Sequence, residues 1–102
     1  MKAKIDNYST WVDGAKPDDL KTSIEALLTQ SGFTVLNFME HHFKPQGYTA
    51  VWLLAESHCA LHTFPEENQS YVELSSCNTK MYVEFINLFT THFNLSESEV
   101  IN

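Results

Sequence analysis

At 102 residues, 43% of them apolar and 13% aromatic, the chain suits one domain with a modest core and is too apolar for a disordered segment. Its net charge of −7, with six lysines and no arginine, argues against nucleic acid as a partner, because phosphate contacts draw on Arg and Lys. No apolar run approaches membrane-spanning length and Met1–Asp6 lacks the apolar core of a secretory signal, so the expected location is cytoplasmic, with no membrane partner and with Cys59 and Cys77 as free thiols.

Residues 4–12 mix polar side chains with Tyr8 and Trp11 and are expected as a first strand. Pro17-Asp18-Asp19 opens a helix, since proline suits a first-turn position and the carboxylates complement the exposed amides there. Leu20, Ile24, Leu27 and Leu28 form its apolar stripe, and Gly32 ends it. Phe33–Phe43 reads as a strand, and Lys44-Pro45-Gln46-Gly47 as a turn. Tyr48–Leu54 is almost continuously apolar and is expected as a central strand. After a motif that runs to Glu66, residues 67–70 are a polar turn and Tyr71–Ser76 a further strand. From Asn78, the positions Tyr82, Phe85, Ile86, Phe89 and Phe93 form a second helical stripe, and the polar tail 94–102 is expected to fray. The sum is an α+β two-layer sandwich in a single domain, residues 1–102. Its sheet is largely antiparallel with four to five strands, and both helices lie on one face.

The motif is Glu56-Ser57-His58, then His62-Thr63-Phe64-Pro65-Glu66, with Cys77 beyond it. A serine hydroxyl can attack its own preceding carbonyl when a base and an oxyanion site assist. The amide then becomes an ester, and removal of the Ser57 Cα proton expels the carboxylate of Glu56. The dehydroalanine left behind hydrolyses to a pyruvoyl group, a carbonyl that serves as an electron sink for bound amines. The plainer reading of Ser57 is a strand-end serine. His62 supplies an imidazole suited to accept a proton. Its odd offset from Ser57 sets it on the opposite face of an extended segment, so direct contact requires a bend or bulge at the cleavage bond. The plainer reading is a satisfied strand-end histidine. His58 and His62 at i, i+4 converge on a metal only in a helix, and this stretch reads as β, so no metal site is expected. Cys77 carries a thiol able to donate a proton, or else is a small buried hydrophobe. Phe43 and Phe64 are either core or faces for stacking and cation binding, and Glu66 either binds hydroxyls or a cation or is a solvated turn carboxylate. Cys59 has no assigned role, and His41, His42 and His92 read as surface histidines.

Together with His41-x-Phe43-x-Pro45-x-Gly47-x-Thr49, these residues make Phe33–Cys77 resemble the prokaryotic S-adenosylmethionine decarboxylase proenzyme family. The resemblance implies self-cleavage between Glu56 and Ser57 into a β chain 1–56 and an α chain 57–102 that begins with pyruvate. Ser57 would be the pyruvoyl precursor and Schiff-base site, and His62 the proton acceptor in processing. Thr49 would assist processing where the family usually has serine, and Cys77 would be the proton donor after carbon dioxide leaves. Phe43 and Phe64 would stack on adenine and Glu66 would bind the ribose hydroxyls of S-adenosylmethionine, whose decarboxylated product serves spermidine synthesis. A homodimer of cleaved protomers is also implied.

The chain departs from the family in Phe64 for tryptophan and in Glu73-Leu74-Ser75-Ser76-Cys77-Asn78 for Asp-x-Phe-Thr-Cys-Gly, and it has no clear Gly-x-His near the N-terminus. Two other readings stay open at this level. One is a pyruvoyl-dependent decarboxylase of ornithine or arginine, and the other an uncleaved, non-catalytic regulatory homologue.

Overall fold

The computed structural model describes residues 4–95 and, for the backbone alone, Val100 and Ile101. Strand β1 (Asp6–Asp13) leads into helix α1 (Pro17–Gln30), which is followed by β2 (Val35–His42), β3 (Tyr48–Leu54) and β4 (Ser57–Phe64). A single 3-10 turn (Pro65–Glu67) precedes β5 (Gln69–Ser76), helix α2 (Thr79–His92) and the two-residue β6 (Val100–Ile101). The strands form one sheet in the order β2-β3-β4-β5-β1-β6, with every pairing antiparallel.

Helix α1 begins where proline stands in its first turn with Asp18 and Asp19 beside it, and it gives way at Gly32, whose φ is +102°. Leu20, Ile24, Leu27 and Leu28 are its buried residues, as their spacing predicts. Asn78 caps α2 by accepting a hydrogen bond from Met81 N at 2.9 Å. Phe85 and Phe89 are the side chains that α2 buries fully. They join Ile24 and Leu28 from α1 and Tyr8, Trp52, Leu61, Val72 and Leu74 from the sheet in one cluster, so both helices cover the same sheet face. Each fully buried side chain of this size contributes on the order of 2 kcal/mol. Aromatic edges order the layer, with Tyr8 and Phe89 T-shaped at 5.8 Å and Phe85 stacked on Phe89 at 5.3 Å. Trp52 Nε1 donates to Glu25 Oε1 at 3.1 Å and ties β3 to α1.

Two expectations change. The turn after the motif is shorter than 67–70: Asn68 takes the left-handed conformation (φ +52°), which frees Gln69 and Ser70 to begin β5. Strand β3 takes the central place expected of it, an inner strand between β2 and β4. Its outward residues Val51 and Leu53 remain 38% and 51% exposed. The expected frayed tail lies outside the described residues at 96–99 and 102, whereas the Val100–Ile101 backbone pairs with Thr10 and Ser9 of β1 as a short sixth strand.

Candidate active site

Strand β4 carries the motif, and its alternation sorts the motif into two groups. Ser57, Cys59, Leu61 and Thr63 face the helices and are buried, whereas His58, His62 and Phe64 face the open side of the sheet. No bend brings Ser57 and His62 together. The two are five residues apart along a regular strand, hence about 17 Å apart and on opposite faces. His58 and His62 share the outer face but are about 13 Å apart by the same rise, too far to share one ion.

The first group lies at the β3–β4 turn. Leu54 pairs with Ser57, so Ala55 and Glu56 alone make the connection, and Glu56 takes a left-handed φ of +54°. That conformation costs a non-glycine residue about 1 kcal/mol or more. The Ser57 hydroxyl is buried and donates to Ser76 Oγ at 2.9 Å, across the Ser57–Ser76 pair of β4 and β5. Ser76 Oγ also accepts Asn78 N–H at 3.0 Å. A cavity of about 230 Å³ opens here, lined by Glu56, Cys77, Asn78, Phe33 and Met81 among others. Cys77 is exposed on its rim rather than packed in the core, which removes the buried-hydrophobe reading. Cys59 is the buried thiol: desolvation pushes its pKa far up, aided by the carboxylate of Glu73, and leaves it inert at neutral pH.

The second group lies at the far end of the same strands. Thr49 and His62 are cross-strand partners on the outer face, and Thr49 Oγ1 lies 2.9 Å from His62 Nδ1. A cavity of about 350 Å³ is lined by this pair with Phe43, Phe64 and Glu66. Neither aromatic joins the core: Phe43 is 50% exposed and touches the His41 ring at 4.6 Å, and Phe64 packs on Trp11 at 5.4 Å. Glu66 is exposed and accepts from Gln46 Nε2 at 3.1 Å. His41 and His42 lie exposed on edge strand β2, and His92 exposed in the last turn of α2. Behind this cavity Tyr48 Oη donates to Glu40. The bond pulls the Glu40 carboxyl below its ordinary range, while burial and then Glu40 itself raise the Tyr48 pKa.

The sequence-predicted residues thus divide between two ends: Glu56, Ser57 and Cys77 at one, and Thr49, His62, Phe43, Phe64 and Glu66 at the other. A family model described as S-adenosylmethionine decarboxylase matches residues 14–102, which include all of them. The chain belongs to the S-adenosylmethionine decarboxylase family. Among curated relatives, the S-adenosylmethionine decarboxylase proenzyme of Prochlorococcus marinus (strain MIT 9313) is 40% identical over 75 residues, which is 71% of this chain and 60% of that protein. The proenzyme of Synechococcus sp. (strain WH7803) is 43% identical over 68 residues, 64% of this chain and 53% of that protein. The chain therefore spans little more than half the length of these relatives. The fold is shared with the crystal structure of the adenosylmethionine decarboxylase from Aquifex aeolicus VF5. The TM-score is 0.76 at 20% identity, over 99% of this chain and 88% of that one.

Within this S-adenosylmethionine decarboxylase family member, sequence reasoning passed over Ser76, noting it only as a departure from threonine. The signal that finds it is register. An antiparallel hairpin closed by the short Pro65–Asn68 turn sets Ser57 opposite Ser76. Asn78 stands out in the sequence only as the start of the second helix and a departure from the family's glycine, and Met81 not at all; their place on the cavity follows from the same register, which starts α2 beside the β3–β4 turn.

Proposed function

We propose that the chain cleaves itself between Glu56 and Ser57 and then decarboxylates S-adenosylmethionine. The observation that carries this reading is the β3–β4 turn. A left-handed Glu56 directly precedes a buried, hydrogen-bonded Ser57, and Glu56 shares one cavity with the exposed Cys77. Attack by Ser57 Oγ on the Glu56 carbonyl carbon forms an ester as the C–N bond breaks, and the hydroxyl proton ends on the freed amine. Removal of the Ser57 Cα proton then breaks Cβ–Oγ and releases Glu56 as a carboxylate. Water converts the remaining dehydroalanine to a pyruvoyl group and ammonia, so no oxidant or reductant is consumed. The products are a β chain 1–56 and an α chain 57–102.

A pyruvoyl carbonyl binds an amine and takes up the electron pair released with carbon dioxide. The residues at the turn fit it: Glu56 and Cys77 line one cavity, and the exposed Cys77 thiol is the group that would return a proton to the carbon losing carbon dioxide. At the other end, Thr49 Oγ1 and His62 Nδ1 share a hydrogen bond, and in the tautomer that donates from Nδ1 the Nε2 atom is the proton acceptor. Phe43 and Phe64 offer faces to adenine and to the sulfonium, and Glu66 offers a carboxylate to the ribose hydroxyls.

A base must come within about 3 Å of the proton it removes, and one chain keeps His62 about 17 Å from Ser57. We therefore propose a homodimer in which the Thr49–His62 pair of one chain serves the Ser57 end of its partner. The outer sheet face supports this. Trp11, Met39, Val51 and Leu53 share it and are 38% to 73% exposed, an apolar area that a lone sheet leaves in water. Free Cys59 and Cys77 suit a reducing compartment, the cytosol, and an aminopropyl donor for spermidine synthesis would be used there. No described helix is long and apolar enough to cross a membrane.

The test has two parts. Intact mass of purified protein is expected to give two fragments split at 56/57, and a single full-length mass after long incubation would return the chain to a binding role. Carbon dioxide release from carboxyl-labelled S-adenosylmethionine is expected to exceed that from ornithine or arginine, and the reverse order would reassign the substrate.

A further inference from the structure

Among the described residues, the hydroxyl of Ser57 bonds one side chain, and it is a residue to which the motif assigns no task. Ser57 Oγ donates to Ser76 Oγ at 2.9 Å, and both residues are buried, Ser76 completely. Ser76 Oγ is itself held in place. It accepts Asn78 N–H at 3.0 Å and points its own proton toward Asn78 O at 3.4 Å. Asn78 in turn caps α2 through Met81 N. The nucleophile is thus fixed to the start of a helix through one intervening hydroxyl.

This arrangement has a chemical consequence. A serine that gives its proton to a fixed acceptor keeps both oxygen lone pairs free and holds one side-chain rotamer. Attack on the preceding carbonyl closes a five-membered ring of Oγ, Cβ, Cα, N and the carbonyl carbon, so it succeeds only from the rotamer that brings a lone pair to that carbon. Without the acceptor, a buried Ser57 hydroxyl must turn to the backbone for a partner, and the nearest oxygens there include the carbonyl it should attack.

From this geometry we infer that Ser76 is a positioning residue for self-cleavage, its hydroxyl holding Ser57 Oγ in the rotamer that attacks Glu56. Ser76 supplies no proton to the balance, because the Ser57 proton still ends on the freed amine. The inference rests on the cleavage proposed above. It concerns the precursor alone, since the hydroxyl that Ser76 grips leaves with Glu56.

The experiment compares Ser76→Thr with Ser76→Val, which have the same shape but differ by a hydroxyl for a methyl, and uses Ser76→Ala as a smaller variant should valine disturb the fold. Cleavage of the full chain is followed by intact mass over time, with thermal unfolding recorded on each precursor. Ser76→Thr is expected to cleave within about threefold of the natural chain, and Ser76→Val and Ser76→Ala about tenfold or more slower, in proportion to one lost hydrogen bond. Equal slowing of the threonine and valine variants would reduce Ser76 to a packing residue and overturn the inference. So would valine or alanine variants that cleave at or above the natural rate, which would mean that the bond restrains Ser57 instead of aiming it. A natural chain that never cleaves is a separate outcome that sinks the underlying reading, and the inference falls with it.

Discussion

The two ends of strand β4 have the same parentage and opposite characters. At the Ser57 end two hydroxyls are buried and bonded to each other, Ser57 to Ser76, and Ser76 is held in turn by the exposed Asn78, with Glu56 and Cys77 open to solvent. At the His62 end the groups stand on an open sheet face, half-covered, around a cavity with aromatic walls. One end holds an atom still, and the other presents its groups on an open face. The lesson concerns the period of a strand. An offset of five residues is too long and of the wrong parity for two side chains to meet, so a motif continuous in sequence is divided in space. Under the proposed cleavage, neither end alone has both a nucleophile and a base, and each has what the other lacks.

Substitutions at the two ends should therefore fail differently. The largest effect is expected at His62: replacing the base, His62→Ala, should slow self-cleavage about a hundredfold or more, by the usual worth of a positioned general base. Thr49→Val, which removes only the bond that orients the ring, should slow it about tenfold, and Thr49→Ser should restore it. Intact mass against time reads all three, and a His62→Ala chain that splits at the natural rate would break the comparison. Cys77→Ala should sharpen it from the other side, with fragments forming normally while decarboxylation of S-adenosylmethionine, measured per cleaved site, falls about a hundredfold. Slow cleavage with normal turnover would exchange the roles of the two ends.

The smallest effect concerns stability. Tyr48 Oη donates to Glu40 behind the His62 cavity and lowers the Glu40 pKa. A carboxyl whose folded pKa is depressed contributes stability above its ordinary range, and that contribution is lost as pH falls through the lowered folded value. Tyr48→Phe should accordingly lower Tm by about 4 °C at neutral pH and by less at strongly acid pH. A loss that grows toward acid would contradict the assignment. Glu40 is exposed and already near Lys21 at 3.4 Å, which keeps the expected change small.

How much of this was legible beforehand depends on the range of the interaction. Helical stripes were readable because Leu20, Ile24, Leu27 and Leu28 repeat at the helical period, and Gly32 stops α1 where its positive φ requires glycine. The parity of β4 was readable too, and it foretold that Ser57 and His62 would not meet without a bend. What composition could not supply was register. That Ser57 faces Ser76, and that His62 faces Thr49, follows from how the strands pair, and pairing is set by turns at Ala55-Glu56 and at Pro65–Asn68. Tyr48–Leu54 was legible as a central strand, but not which of its faces would be covered. Val51 and Leu53 stand in the open because, among the described residues, the helices pack on one face of the sheet only. Phe64 stays out of the core for the same reason, on the sheet face opposite the helices, and Phe43 stands half-exposed in the β2–β3 connection.

The most direct measurement is complementation between two silent chains. Tagged His62→Ala is co-expressed with untagged Ser57→Ala, and the intact mass of the tagged chain is taken. If a base on one copy serves the serine of the other, the tagged chain, whole when made alone, splits at 56/57 once its companion supplies His62. Should both chains stay whole while the natural protein cleaves, or should tagged His62→Ala split unaided, the account of a site divided between two copies is wrong.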